Sequence, residues 1–219
     1  MGKLVESFSA DYGFEVAGVL DVHNNLDGVG LDAPPPVDVA VDFSIAAATR
    51  RNLPLLARHH INAVIGTTGL EADEAALRRS VEAAGIGVVV ASNYSLGANL
   101  FLSIVERAAH RFAPHADYGA WIHEAHHAAK QDAPSGTAVT LKARMEAAGY
   151  ARPIDVSSTR AGSIPGTHTV GFDGPSDTVT LTHTNRDRGA FARGALEAAR
   201  WVVGKRGWFT MKDVLELSE

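Results

Sequence analysis

The sequence predicts an α/β fold in two parts: a parallel sheet covered by helices, then a segment that mixes helices with antiparallel strands. Three observations carry this expectation. Short apolar runs alternate with helix-period segments through the first 94 residues, the pattern of strands buried on both faces. From residue 95 the pattern changes to a long amphipathic helix, and later to strands with period-two alternation around a turn. The chain has 219 residues and is 46% hydrophobic, enough for one large or two small cores.

The elements follow in order. Residues 3–13 read as a helix closed by Gly13, and residues 14–20 as a buried strand ending at Asp21. Glycines and the prolines at 34–36 make residues 22–36 a loop. Residues 37–43 form a second apolar strand, and Ser44 is placed to cap a helix over 45–59. A third strand, 62–65, runs into Gly66-Thr-Thr-Gly69; a helix over 71–84 ends at Gly85. A fourth strand, 87–91, opens into Ser92-Asn93-Tyr94-Ser95. Residues 96–112 give an amphipathic helix with Leu96, Leu100, Phe101, Ile104, Val105, Ala108 and Phe112 on one face. A strand over 119–126 precedes a helix over 134–148. Strands over 167–174 and 177–184 follow, then a helix over 189–204 and a short one over 211–217, where Thr210 and Asp213 resemble a capping box. The expected division is a cofactor domain of residues 1–94 and 188–219, and a second domain of residues 95–187.

Composition removes several function classes. The net charge is −5 and no basic run of five or more occurs, which disfavours nucleic acid. No apolar run is long enough to span a bilayer, and no signal peptide precedes the first strand. The chain has no cysteine, so thiolate chemistry and disulfides are excluded. A cytoplasmic protein is expected.

In parallel α/β sheets, ligands bind at the carboxyl ends of strands. Asp21 is placed to accept hydrogen bonds from ribose hydroxyls, and is equally well read as a solvated loop acid. Gly66, Thr67 and Thr68 suit a nicotinamide or phosphate, or merely a turn. A dinucleotide domain should open with a strand and a Gly-rich turn. This chain opens on Met1-Gly2, and Gly2 reads as the last glycine of such a turn.

The densest chemistry lies in Glu124-Ala-His-His-Ala-Ala-Lys-Gln-Asp-Ala-Pro-Ser-Gly-Thr-Ala138, where a strand ends and a helix begins. A metal site is disfavoured: strand parity puts His123 and His127 on one face and His126 on the other, and a lysine sits among them. A structural reading, histidines at a strand end beside a solvated lysine, leaves the adjoining Ser135-Gly136-Thr137 unexplained. An anion-binding catalytic site accounts for all of it. His127 and Lys130 supply donors or charge, Ser135, Gly136 and Thr137 supply more at the positive end of a helix, and an imidazole can give a proton near neutral pH. A small substrate carrying carboxylates fits this set.

This run is similar to the signature of the 4-hydroxy-tetrahydrodipicolinate reductase (dihydrodipicolinate reductase) family of lysine and diaminopimelate synthesis. Val41-Asp-Phe-Ser44, Val64-Ile-Gly-Thr-Thr-Gly69, Ser92-Asn-Tyr-Ser-Leu-Gly-Ala-Asn99, Arg160-Ala-Gly with Gly166 and His168, and Asp213-Val-Leu215 match as well. The resemblance implies a Rossmann-like cofactor domain whose first strand is missing from the residues given, and an α+β substrate domain whose open mixed sheet builds a homotetramer. It implies NAD(P)H-dependent reduction of a cyclic dicarboxylate with loss of water. It makes His126 the proton donor and Lys130 its assistant, and has His127, Ser135, Gly136 and Thr137 bind substrate. Asp21, Gly66, Thr67, Thr68, Ala91, Ser92, Asn93 and Tyr94 would contact the cofactor; no metal is implied. The family's opening strand and G-x-x-G-x-x-G loop are represented only by Met1-Gly2. Val22 follows Asp21 and Ile45 follows Ser44, where NADP-preferring members often carry arginine, so NADH is expected over NADPH. Two other readings are a non-catalytic paralogue that does not hold the dinucleotide, and a related Rossmann oxidoreductase acting on another amino or imino acid.

Overall fold

The structure, a computed structural model, describes residues 1–217. The last two residues of the expected cofactor domain lie outside this range. In chain order the elements are α1 (Gly2–Phe8), β1 (Val39–Asp42), α2 (Ala46–Arg58), β2 (Asn62–Ile65), α3 (Glu74–Ala84), β3 (Gly87–Val90) and α4 (Leu96–Phe112). There follow β4 (Gly119–His126), α5 (Gly136–Ala147), β5 (Ile154–Arg160), β6 (Gly166–Asp173), β7 (Thr178–Asn185), α6 (Gly189–Val202), β8 (Gly207–Phe209) and α7 (Met211–Val214). They divide into two compact units, residues 1–96 with the segment from Arg188 onward, and residues 97–187.

The first unit holds a parallel sheet in the order β1-β2-β3-β8. Successive side chains of a strand point to opposite faces. Ala63 and Ile65 of β2 therefore pack with Leu53 and Leu56 of α2 and Leu77 and Val81 of α3. Val64, between them, packs with Val89 and with Ala195, Ala198 and Val202 of α6 on the other face. Both faces are covered, which is why these strands read as unbroken apolar runs.

The second unit is an open mixed sheet in the order β5-β4-β6-β7; β4 pairs parallel with β5 and antiparallel with β6. Its core gathers Phe101, Leu102 and Val105 of α4, Leu141 and Met145 of α5, and Ala120 and Ile122 of β4. The even-numbered positions of β4 face this core, and Glu124 is the next of them.

Several expectations are corrected. Residues 14–20 form no strand: Val16, Val19 and Leu20 are 43%, 54% and 46% exposed, and among the described residues no strand pairs with them. Apolar pattern reports a potential strand; the hydrogen-bonding partner is a separate requirement. Ser44 does not cap α2. Ile45 takes the extended N-cap position, while Ser44 N and Thr49 Oγ1 both donate to the carboxylate of Asp42. The loop after Asp21 contains a 3₁₀ segment, Leu26–Leu31. α4 buries Ala98, Phe101, Leu102, Val105 and Ala109, leaving Leu100 and Ile104 exposed; the helix carries two apolar stripes, and packing chooses between them. β5 and β8 were not anticipated. α7 is shorter than expected, though Thr210 and Asp213 do form its capping box.

Candidate active site

β4 ends at His126, a loop carries Lys130, and the chain re-enters regular structure at Ser135, the N-cap of α5. The core-facing parity of β4 brings the carboxylate of Glu124 into the interior, where its side chain is 0% exposed. Burying a lone carboxylate is costly, so its partners decide whether it stays charged. Arg160 holds it in a two-pronged bond, Nη1 to Oε2 at 2.9 Å and Nη2 to Oε1 at 2.7 Å. The Ser135 amide donates to Oε1 at 3.2 Å. His126 Nδ1 lies 2.5 Å from Oε2. Burial alone would raise the Glu124 pKa, but Arg160, Ser158, His126 and the Ser135 amide outweigh it and bring it down to about 2.

This fixes the state of His126. An ionised carboxylate only accepts hydrogen bonds, so Nδ1 carries the hydrogen and donates to Glu124. Nε2 is left to exchange a proton. The ring lies against Gly166: a Cβ there would come within 2.9 Å of both Cδ2 and Nε2, so only glycine leaves this rotamer open. The imidazole is 12% exposed, buried enough to be oriented and open enough to be reached.

His168 stands edge-on to His126 with ring centres 5.1 Å apart. Burial, and then the charge of His126, lower its pKa to about 4, so it is neutral near pH 7. Its Nε2 is 2.8 Å from Ser135 Oγ, which also accepts from the Ala138 amide at 3.2 Å. The Ser135 hydroxyl is thus committed to the helix cap and to His168, and is buried. Lys130 Nζ pairs with Asp132 Oδ1 at 2.7 Å. The Asp132 carboxyl is held below the usual range by Lys130, helped by the Gly136 amide at the start of α5. A carboxylate of the protein itself therefore sits where Lys130 and a helix N-terminus meet. Gly136 and His127 are exposed and Thr137 is half-buried.

Glu124, His126 and His168 together offer three atoms within 4.8 Å of one another, a set that a divalent ion can use. Both Glu124 oxygens already carry the guanidinium of Arg160, and a cation there would have to displace it. The cluster is an ion-pair and hydrogen-bond network.

In the first unit, Gly66, Thr67 and Thr68 follow β2, and Ala91 through Tyr94 follow β3, at the carboxyl ends of adjacent parallel strands. Gly66 makes room for the Phe43 ring, which a Cβ would meet at 2.1 Å. Thr67 Oγ1 is buried and has no hydrogen-bond partner among the described residues. Such a group costs about 1–3 kcal/mol unless a ligand satisfies it, so this strand end fits a bound polar group such as a carboxamide. Tyr94 is 1% exposed, and its hydroxyl lies 2.9 Å from both the Ile65 and Val89 carbonyls, so its side chain ties two strands together. Burial raises its pKa and keeps it protonated. Ser92 is exposed, and Asn93 Oδ1 accepts from the Ser95 amide. Asp21 lies in an exposed turn, accepting from the His23 amide at 2.8 Å, instead of at a strand end.

Sequence reasoning singled out His126, Lys130 and the Ser-Gly-Thr turn, which the fold gathers in the second unit. It assigned no role to Glu124, Arg160 or His168. Glu124 carried a signal, since an acid sits at a core position of an alternating strand. Arg160 and His168 enter through strand register, opposite His126 and Glu124 respectively.

Comparison with known proteins gives two family matches: dihydrodipicolinate reductase, N-terminus, over residues 3–94, and dihydrodipicolinate reductase, C-terminus, over residues 97–215. The 4-hydroxy-tetrahydrodipicolinate reductase of Christiangramia forsetii is 34% identical, covering 98% of this chain and 93% of that protein. The protein of the same name from Methanosarcina mazei is 38% identical, covering 99% and 86%. Among solved structures, a dipicolinate-bound dihydrodipicolinate reductase from Paenisporosarcina sp. TG-14 superposes with a TM-score of 0.71. At 23% identity it covers 79% of this chain and 71% of that one, a likeness of fold.

Proposed function

The chain belongs to the dihydrodipicolinate reductase family, and from that premise we propose that it reduces 4-hydroxy-tetrahydrodipicolinate to tetrahydrodipicolinate, with loss of water, using NAD(P)H. The observation that carries this reading is the pairing of an oriented imidazole with an anion-ready helix start. His126 presents Nε2 for proton transfer, while Lys130 and α5 already cradle the carboxylate of Asp132.

The residues take these roles. His126 is the proton donor, with Nδ1 held by Glu124. Lys130 exchanges Asp132 for a substrate carboxylate and assists the proton transfer. His127, Gly136 and Thr137 bind the dicarboxylate, and Ser135 sets their geometry as the N-cap of α5. When bound, the reduced nicotinamide supplies the hydride. Residues 1–94 and 188–219 form the unit that takes the dinucleotide, and residues 95–187 the unit that takes the substrate. Gly66, Thr67 and Thr68, with Ala91, Ser92, Asn93 and Tyr94, are the cofactor contacts; the orphaned Thr67 hydroxyl supports this. Asp21, with Val22 beside it and no arginine, favours the unphosphorylated ribose of NADH.

The open mixed sheet of the second unit is the surface on which a homotetramer assembles, and the cytoplasm is the compartment of such a biosynthetic step. Among the described residues no helix is long and apolar enough to cross a membrane. The test is steady-state oxidation of NADH and NADPH with the cyclic substrate, beside fluorescence titration of each nucleotide. The expected result is saturable binding and turnover, with the lower Michaelis constant for NADH. Failure of both nucleotides to bind would defeat the reading.

A further inference from the structure

We infer that Glu124, clamped by Arg160, is the positioning residue for His126: the pair holds the Nδ1–H tautomer and leaves Nε2 as the proton-exchanging atom. This rests on the reading of His126 as proton donor.

Three strands converge on the carboxylate. His126 is on β4 with Glu124; Arg160 is the register partner of His126 on β5; His168 is the register partner of Glu124 on β6. Arg160 reaches past its own partner to grip both Glu124 oxygens, and its Nη2 also donates to the Asp132 carbonyl at 2.5 Å. One guanidinium thereby joins the orienting carboxylate to the loop that carries Lys130. A buried ion pair is a poor way to gain stability, because apolar residues of the same volume commonly do as well. Here the geometry has another consequence. A carboxylate that accepts two bonds from a guanidinium cannot rotate away from His126, so the imidazole keeps one tautomer and one orientation. Besides Glu124, the charged and titratable groups that bear on this cluster are Arg160, His168, His183, Lys130 and Asp132, so removing Glu124 takes an anion from a surround that keeps the cations of Arg160 and Lys130.

The test combines imidazole ¹⁵N NMR on the full chain, with the His126 signal assigned through His126→Gln, and pH profiles of kcat/KM. In the parent protein, neutral His126 is expected to show a protonated Nδ1 and an unprotonated Nε2; the opposite tautomer overturns the inference without any variant. In Glu124→Gln, the Nδ1–H tautomer should lose its dominance. kcat should fall about tenfold or more, with the Michaelis constant for NADH unchanged. A proton donor works only while protonated, and loss of a neighbouring negative charge disfavours the cation. The alkaline limb of kcat/KM should therefore move to lower pH. An unchanged tautomer with an unmoved limb would make Glu124 a packing residue and overturn the inference, even if kcat falls. The tautomer is read without turnover, so a parent chain with the expected tautomer and no reductase activity would defeat the proposed function instead.

Discussion

Replacing Arg160 with methionine removes the guanidinium and leaves Glu124 buried with only His126, Ser158 and the Ser135 amide as partners. Two routes give the cost. Glu124 falls from an ordinary 4.5 to about 2, and at about 1.4 kcal/mol per pKa unit this is a stabilisation of about 3 kcal/mol, much of it owed to Arg160. Removing one partner of a buried ion pair costs about 3–5 kcal/mol in general. The lower end is expected, because other donors remain. In a chain of this size each kcal/mol is worth about 2–4 °C, so Arg160→Met should melt about 6 °C or more below the parent. The pH dependence has a definite sign. A carboxylate with a depressed pKa stabilises the fold above its unfolded value of 4.5, and that stabilisation is lost as pH falls toward 2. The gap between parent and variant should thus be full near pH 7 and narrower near pH 4. Urea unfolding at fixed protein concentration at both pH values measures it. A loss below about 1 kcal/mol near pH 7, or a gap that does not depend on pH, would show that Arg160 does not hold Glu124 in its charged state.

Other predictions follow from single contacts. Lys130→Ala should raise the Michaelis constant for the dicarboxylate while leaving NADH affinity unchanged in a fluorescence titration; loss of NADH binding instead would contradict its proposed role at the substrate carboxylate. His168 is neutral in the fold, with its pKa lowered from 6.5 to about 4. The unfolded chain takes up its proton first, so stability should decline as pH falls from 6.5 toward 4, and His168→Asn should flatten that decline in denaturant midpoints. Tyr94→Phe loses the hydroxyl that meets the Ile65 and Val89 carbonyls. It should cost about 1 kcal/mol of stability, which calorimetric unfolding checks.

How much of this was legible in the sequence depended on where each signal lies. β2 and α4 match their expected bounds because local pattern suffices: a run of apolar residues between turns, and seventeen residues of helical period. β4 matches too, since its alternation is strong. β5 is Ile-Asp-Val-Ser-Ser-Thr-Arg, polar enough that only pairing with β4 makes it a strand. β8 has three residues and no period to read. Residues 14–20 show the converse, an apolar pattern without a partner. The histidines, lysine and Ser-Gly-Thr turn mark a candidate site in the sequence because they are contiguous. The network behind them was hidden, because Arg160 and His168 reach Glu124 through strand register, across sequence separations that pattern does not encode.

The proposed chemistry has His126 donate the proton in a dinucleotide-dependent reduction of a cyclic dicarboxylate. Turnover of the full chain, followed through loss of nicotinamide absorbance for the parent and for His126→Gln, tests it most directly. Saturable turnover is expected in the parent and a fall in kcat of about 100-fold or more in the variant, with nucleotide binding retained in both. Equal turnover by the two proteins would contradict it.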